Sequence, residues 1–158
     1  MLFTVTLFYV FLLSMAPVVE LRGAIPLGVS LGLSPWLAFL VAVAGNLLVI
    51  PPLLWFWSWL LANLERWPRI GPLVRRFEAR VRLRGEEAVQ RYGALGLFLF
   101  VALPLPGTGA WSGTLLAAAL GVKKRYALPA IALGVVAAGL LVTLASAGAM
   151  RGLEFLVR

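Results

Sequence analysis

The chain has 158 residues, 62% of them hydrophobic, and its mean hydropathy of +0.99 is typical of an integral membrane protein. It contains no Cys, no His and no Asp, which excludes thiol chemistry and disulfides and argues against a metal site, so we expect neither a metal ion nor a cofactor. The net charge of +8 beside membrane segments indicates orientation and attraction to anionic lipid, and we exclude nucleic acid as a partner.

Four runs without charged side chains divide the chain. They are Met1–Val19, Gly23–Leu64, Tyr92–Val122 and Tyr126–Met150. The second run has 42 residues, about twice the roughly 20 that one membrane-spanning helix needs, so it must fold back or break. A break at 32–35, where the sequence reads GLSP, leaves a span from Trp36 to about Leu64.

A charged segment, 65–91, follows this span. It holds eight Arg and four Glu, interleaved with apolar residues such as Leu73, Phe77 and Val81 at helical spacing. The pattern predicts an amphipathic helix on the cytoplasmic surface. An ordinary solvated loop that fixes orientation and a specific lipid-binding role both remain open for it.

The third uncharged run is broken at its centre by ALPLPGTGAWSGT, residues 102–114. Proline and glycine are the residues least suited to a continuous helix. The basic triplet 123–125 follows the run directly, and basic side chains concentrate on the cytoplasmic side of a membrane. If the run enters and leaves on that side, both basic stretches are cytoplasmic. We therefore predict a re-entrant hairpin with a descending arm over 92–103 and a returning arm over 108–120.

The first half of the chain repeats this organisation. An apolar arm over 2–19 leads to a broken tip, ELRGAIP at 20–26, then to a short return arm and the span. A shift of 89 positions aligns three pairs of identical residues: Gly32 with Gly121, Leu31 with Leu120, and Gly45 with Gly134. Two such units on opposite sides of a cytoplasmic connector would be inverted copies, an arrangement typical of transporters.

The predicted fold is therefore an all-α integral membrane domain, 1–158, built as an inverted repeat. Each unit comprises a re-entrant helical hairpin and a transmembrane helix. The expected boundaries are 1–64 for the first unit, 65–91 for the cytoplasmic amphipathic connector, 92–150 for the second unit and 151–158 for a short tail.

Two charged residues, Glu20 and Arg22, lie at the first tip of an otherwise uncharged membrane segment. On a helix their side chains would point about 200° apart, whereas an extended tip puts both on one side, where they can pair. We expect the extended conformation. Charges inside a membrane are costly and indicate function by default, while a static ion pair that holds the hairpin is the alternative.

At the two tips the chain resembles the small multi-drug export proteins, a bacterial and archaeal membrane family grouped with the DedA/VTT superfamily. The resemblance rests on ELRGAIP and on LPLPGTGAWSG at 103–113, and covers nearly the whole chain. It implies paired re-entrant hairpins in a group that includes flippases of undecaprenyl phosphate and lipid scramblases. The residues that carry over as substrate- or ion-binding are Glu20, Arg22, Gly23, Pro26, Pro104, Pro106, Gly107, Thr108 and Gly109.

The chain departs from the DedA proteins proper at both tips. It lacks the acidic residue beside their proline-glycine tip and the basic residues of their second tip, so their substrate does not carry over. From the residues themselves we expect a transporter or flippase for an amphipathic, anionic substrate, such as a phosphate-bearing lipid. Helix N-termini aimed at mid-membrane and the charge of Arg22 would attract the anion, and protonation of Glu20 would release Arg22.

Two alternatives remain open, an uncoupled lipid scramblase and a non-transporting membrane scaffold. An enzyme is not expected, because Ser112 has no His to activate it. The expected partners are membrane lipids, the anionic substrate and protons. A bundle of two spans and two hairpins is thin, so we also expect a homo-oligomer, a dimer above all, as a multi-pass protein of the cytoplasmic membrane.

We predict that both termini lie outside the cell and that 65–91 and 123–125 lie inside, because these two stretches hold eleven of the fourteen basic residues. The chain has no native cysteine, so the single substitution Lys124→Cys reports its own side. In intact cells this cysteine should react with a membrane-permeant maleimide and stay unlabelled by an impermeant one. Labelling by the impermeant reagent would contradict the re-entrant hairpin.

Overall fold

The computed structural model describes residues 2–64, 66, 71–73, 75–76, 79, 93–105 and 107–157, the last eight by their backbone alone. Within these residues the regular secondary structure is entirely helical. The helices are α1 (Leu2–Met15), α2 (Glu20–Ser30), α3 (Pro35–Leu64), α4 (Ala94–Ala102), α5 (Ala110–Ala119) and α6 (Lys124–Val157). The expected connector at 65–91 lies largely outside the described residues.

Two of these helices are long and apolar enough to cross a membrane. The first, α3, has 30 residues and confirms the span expected from Trp36 to Leu64, with Pro51 and Pro52 inside the helix. In the second, α6, the candidate span is Lys124–Ala149, and the helix continues to Val157. The expected tail after 150 therefore begins as a continuation of α6.

The two long helices pack against each other in opposite directions. Near the start of α6, Lys124 Nζ lies 4.1 Å from the centre of the Trp55 ring in the second half of α3. Further along α6, Gly139 is in contact with Phe39 and Val43 in the first half of α3. Since the order of the contacts is reversed, α3 and α6 are antiparallel.

A shorter helix packs closely against each long one at a glycine. On α3, a Cβ atom at Gly45 would lie 2.6 Å from the carbonyl oxygen of Phe11 in α1. On α6, a Cβ atom at Gly134 would lie 2.9 Å from the carbonyl oxygen of Phe98 in α4. Each glycine is ten residues after the first residue of its helix. Glycine at both positions lets the helix backbones approach, as is common in membrane bundles.

The same cap ends α2 and α5. In both, a glycine with a positive φ lies just after the helix, Gly32 with +92° and Gly121 with +65°. This backbone conformation is unfavourable for a residue that has a side chain. The backbone N–H of the residue after each glycine then donates to the carbonyl oxygen five residues before it, as in a Schellman motif. These bonds run from Leu33 N–H to Gly28 O (3.0 Å) and from Val122 N–H to Ala117 O (2.9 Å).

The two breaks differ in how well the sequence predicted them. In the second half, α4 and α5 are helical where the arms over 92–103 and 108–120 were expected, within two residues. In the first half the predicted tip at 20–26 is wrong, because these residues form the start of α2 and the chain breaks at 16–19. The buried face of α2 stabilises the helix despite Pro26 in its interior.

We predict that Gly45→Ala and Gly134→Ala each destabilise the protein by about 1–3 kcal/mol, because the added methyl group must push two helix backbones apart. The matched control is Gly148→Ala on α6, where a Cβ atom would meet nothing within 4 Å. Thermal unfolding of the three variants in detergent, followed by circular dichroism, measures the effect. Equal unfolding temperatures for all three would refute the close packing at Gly45 and Gly134.

Candidate functional site

The broken ends of the four short helices meet at one place. Trp111, in the first turn of α5, donates its indole N–H to the carbonyl oxygen of Met15, the last residue of α1, at 3.1 Å. Its backbone N–H donates to Glu20 Oε1, at the start of α2, also at 3.1 Å. Both hydrogen bonds cross from one half of the chain to the other.

The carboxylate of Glu20 caps the N-terminus of α5. Glu20 is only 5% exposed, and Oε1 accepts the hydrogen bond from the Trp111 backbone N–H. The first N–H groups of a helix have no partner within it, and the positive end of the helix dipole favours an anionic cap. Glu20, in the first half of the chain, therefore provides the hydrogen-bond acceptor and the negative charge for the start of α5, in the second half.

The guanidinium of Arg22 caps the C-terminal end of α4. Its Nη2 donates to Leu103 O at 3.0 Å and, at a longer 3.4 Å, to Val101 O. It also donates to Thr108 Oγ1 at 3.0 Å. Carbonyl groups at a helix C-terminus lack intrahelical donors, and a cation stabilises that end. Arg22 Nε has no hydrogen-bond partner among the described residues.

The two charged side chains pair, although not for the reason predicted. Arg22 Nη1 lies 3.3 Å from Glu20 Oε2. The expected extended tip is wrong, because both residues belong to α2. Glu20 has a φ of +47° at the start of the helix, so its side chain does not follow the regular helical direction, and Arg22 extends towards the same break. Val18, with a φ of +74°, turns the chain just before it.

The second break is shaped to receive these two side chains. Thr108 accepts the hydrogen bond from Arg22 and donates its hydroxyl to Leu103 O at 2.6 Å. Gly107 has a φ of +81°, a conformation that favours glycine. A Cβ atom at Gly109 would overlap the carboxylate of Glu20, so glycine there permits the close approach of the two breaks.

A cleft of about 320 Å³ opens beside the pair. It is lined by the turn at 17–18, Glu20, Arg22, Gly107, Thr108, Trp111 and Ser112. Positive and negative groups, a hydroxyl and an indole therefore face the same space. Such a mixture of polar groups in an apolar surround is suited to binding the polar part of a small amphiphile.

Other predicted site residues lie elsewhere. Gly23 is within α2 and contacts Val19 rather than the cleft. Pro26 and Pro104 line a separate, apolar groove. Pro106 lies outside the described residues. The structure thus brings together Glu20, Arg22, Gly107, Thr108 and Gly109 from the predicted set.

Sequence reasoning missed Trp111 as a member of the site. Its two N–H groups bond to residues of the first half, and the ring lines the cleft. The available signal was its place at the start of a helix directly after a glycine-rich break, where backbone N–H groups lack partners. Ser112 and Thr114 donate their hydroxyls to carbonyl oxygens one turn earlier in the chain, Gly109 O and Ala110 O.

We predict that Gly109→Ala destabilises the protein because the methyl group displaces the Glu20 carboxylate from the α5 N-terminus. The same substitution in a Glu20→Ala background should cost much less, since the overlapping group is then absent. A double-mutant cycle on thermal unfolding in detergent measures this coupling. If Gly109→Ala costs the same in both backgrounds, the contact between the two breaks does not determine the need for glycine.

Comparison with known protein families gives a match over most of the chain. The family model "Putative small multi-drug export protein" matches residues 20–141, from the charged pair of α2 to the middle of α6. No curated protein and no solved structure matches the chain significantly. The matched range begins directly after the first break and includes α3, the second break and the first half of α6. The chain is therefore a membrane protein that belongs to the small multi-drug export protein family.

Proposed function

We propose that the protein is a transporter or flippase that moves an amphipathic, anionic substrate, such as a phosphate-bearing lipid, across the cytoplasmic membrane with proton coupling. The observation that carries the proposal is the Glu20–Arg22 pair, which lies where two helix breaks meet and lines a cleft of about 320 Å³. Charged groups at helix breaks inside a membrane are typical of substrate and ion pathways.

A re-entrant path for the second half is supported by its contacts along α6. Leu95 and Tyr126 line one groove near the start of α6, and Phe98 contacts Gly134 ten residues further in than Lys124. Ten helical residues rise about 15 Å, half of a hydrocarbon core of about 30 Å. The break after α4 would then lie near mid-membrane, with the basic triplet at the surface.

An inverted repeat, and with it the proposed kinship to the DedA/VTT superfamily, is supported by three features. The long helices α3 and α6 are antiparallel. Gly45 and Gly134 both pack against the carbonyl oxygen of a phenylalanine in the helix that precedes the break. The caps at 32 and 121 close with equivalent hydrogen bonds. All four glycines obey the same shift of 89 residues.

The mechanism that we propose uses competition between Glu20 and the substrate. When ionised, the Glu20 carboxylate occupies both the α5 N-terminus and one face of Arg22. Protonation removes its charge and weakens both attractions, which leaves Arg22 and the Trp111 backbone N–H free to bind an anionic group. Proton binding and substrate binding would thereby be linked at one site.

Two other functions remain candidates. The capping contacts of Glu20 and Arg22 favour a non-transporting scaffold, in which the pair only holds the two halves together. An uncoupled scramblase would use the same cleft without protons. Enzymatic activity, nucleic acid and a cofactor form no part of the proposal, and the proposed assembly is a homodimer.

Reconstitution into liposomes tests the proposal. We expect flux of an anionic lipid or amphipathic dye that responds to an imposed pH gradient in the wild type. Glu20→Gln, which keeps an acceptor oxygen, should retain binding and lose the response to the gradient. Arg22→Ala should lose binding and flux, while Arg66→Ala, at an exposed arginine after α3, should change neither.

Thermal unfolding of the same variants separates transport from scaffolding. Removing one partner of a buried pair leaves an uncompensated charge and lowers stability. If both charge variants lose stability in parallel while the remaining folded protein transports like the wild type, the pair is structural and the site is elsewhere. Flux without any response to the pH gradient would favour the scramblase, and no flux of any tested compound would favour the scaffold.

A further inference from the structure

An apolar groove of about 490 Å³ lies between α2 and the second half of α6. It is lined by Pro26, Val29 and Ser30 of α2, by Pro104 of the second break and by α6 between Leu141 and Ala149. Its two serines are already engaged. Ser30 donates to Leu27 O and Ser146 donates to Val142 O, each within its own helix. The groove thus presents hydrocarbon and no free hydroxyl donor along these two helices.

The groove is separate from the charged cleft, but α2 and the second break line both. Arg22 precedes Pro26 by one helical turn on the same face of α2, and Val29 follows on that face. Across the junction, Arg22 Nη2 donates to Leu103 O, the residue next to Pro104. The guanidinium therefore lines the polar cleft on the side of Pro104, which lines the apolar groove.

The corresponding junction of the other half is closed. There, α5 packs against α3 through Ala119, 1% exposed, and Leu61, 8% exposed, with Leu64 and Ala118 beside them. Among the described residues, the groove between α2 and α6 is therefore a feature of one junction, with hydrocarbon along its length and the cation of Arg22 in the neighbouring cleft.

We propose that this groove holds one hydrocarbon chain of an anionic lipid whose head group binds Arg22 in the cleft. The inference rests on the proposed function and adds the class and the pose of its substrate: a lipid bound by charge at one end and by burial of one chain. Bulk lipid is as apolar as the groove, so the hydrocarbon chain alone gives no preference for one lipid over another. The selectivity comes from the head group, which the charge of Arg22 binds.

Photo-crosslinking in nanodiscs tests the pose without requiring transport. The probes are phosphatidylglycerol with a diazirine midway along one chain and phosphatidylcholine with the same chains. We expect mass spectrometry to find adducts of the anionic probe on α6 between Leu141 and Ala149 about tenfold above those of the zwitterionic probe, since one hydrogen bond to a charged group contributes on this order. Arg22→Gln should remove the excess.

A matched pair of variants guards against loss of folding in Arg22→Gln. Leu141→Trp fills the groove, and Leu144→Trp makes the same change one turn away on a surface that is 61% exposed and does not line the groove. The excess of anionic adducts on Val29 and Ser30 should fall with Leu141→Trp and persist with Leu144→Trp. Size-exclusion profiles check that both variants are folded.

The outcomes distinguish the proposed lipid pose in the groove from the proposed transport function. Equal labelling of the groove by both probes, or no effect of Leu141→Trp, would overturn the inference, because the groove would then be ordinary lipid-facing surface. Flux of anionic lipid without selective labelling of the groove would overturn the inference and leave the proposed function in place. Selective labelling in a protein that carries no flux would support the lipid pose and reject transport.

Discussion

The structure depends on one constraint: a helix end that is buried in the protein must find partners there for its backbone N–H and C=O groups. Each half of the chain supplies partners for the other. Glu20 accepts from the first turn of α5, Arg22 donates to the end of α4, and Trp111 donates to the end of α1. The Glu20–Arg22 pair therefore holds the two halves of the chain together and is also the candidate site; we call this contact between the halves the joint.

A substrate anion that binds Arg22 or the start of α5 competes with contacts that hold the breaks together. Binding and loosening of the joint are then the same event, and protonation of Glu20 would favour both. A transporter needs such a link between occupancy and motion, whereas a scaffold needs the joint to stay closed.

Much of the architecture was predictable from hydrophobic runs and glycine spacing. The span of α3, the arms at α4 and α5, and the equivalence of Gly32 with Gly121 follow from local signals that act within a few residues. The break at 16–19 contains Pro17, but Gly23 and Pro26 are competing helix breakers a few residues later. Burial of one face of α2 overrides Gly23 and Pro26, and local sequence does not reveal that burial. The contacts of Glu20 and Arg22 with α4 and α5 join residues 79 to 91 positions apart, which a single sequence does not reveal.

Water in the cleft is the most direct test of a functional joint. In the cysteine-free chain, Ser112→Cys places one thiol on the cleft wall, and Leu144→Cys places one on the exposed apolar surface of α6. The measurement is the rate of reaction with a small, charged thiol reagent in liposomes. We expect Ser112→Cys to react, to be protected by an anionic lipid analogue, and to lose that protection with Arg22→Gln. A thiol at 112 as unreactive as the one at 144 would contradict a hydrated site between the two helix breaks.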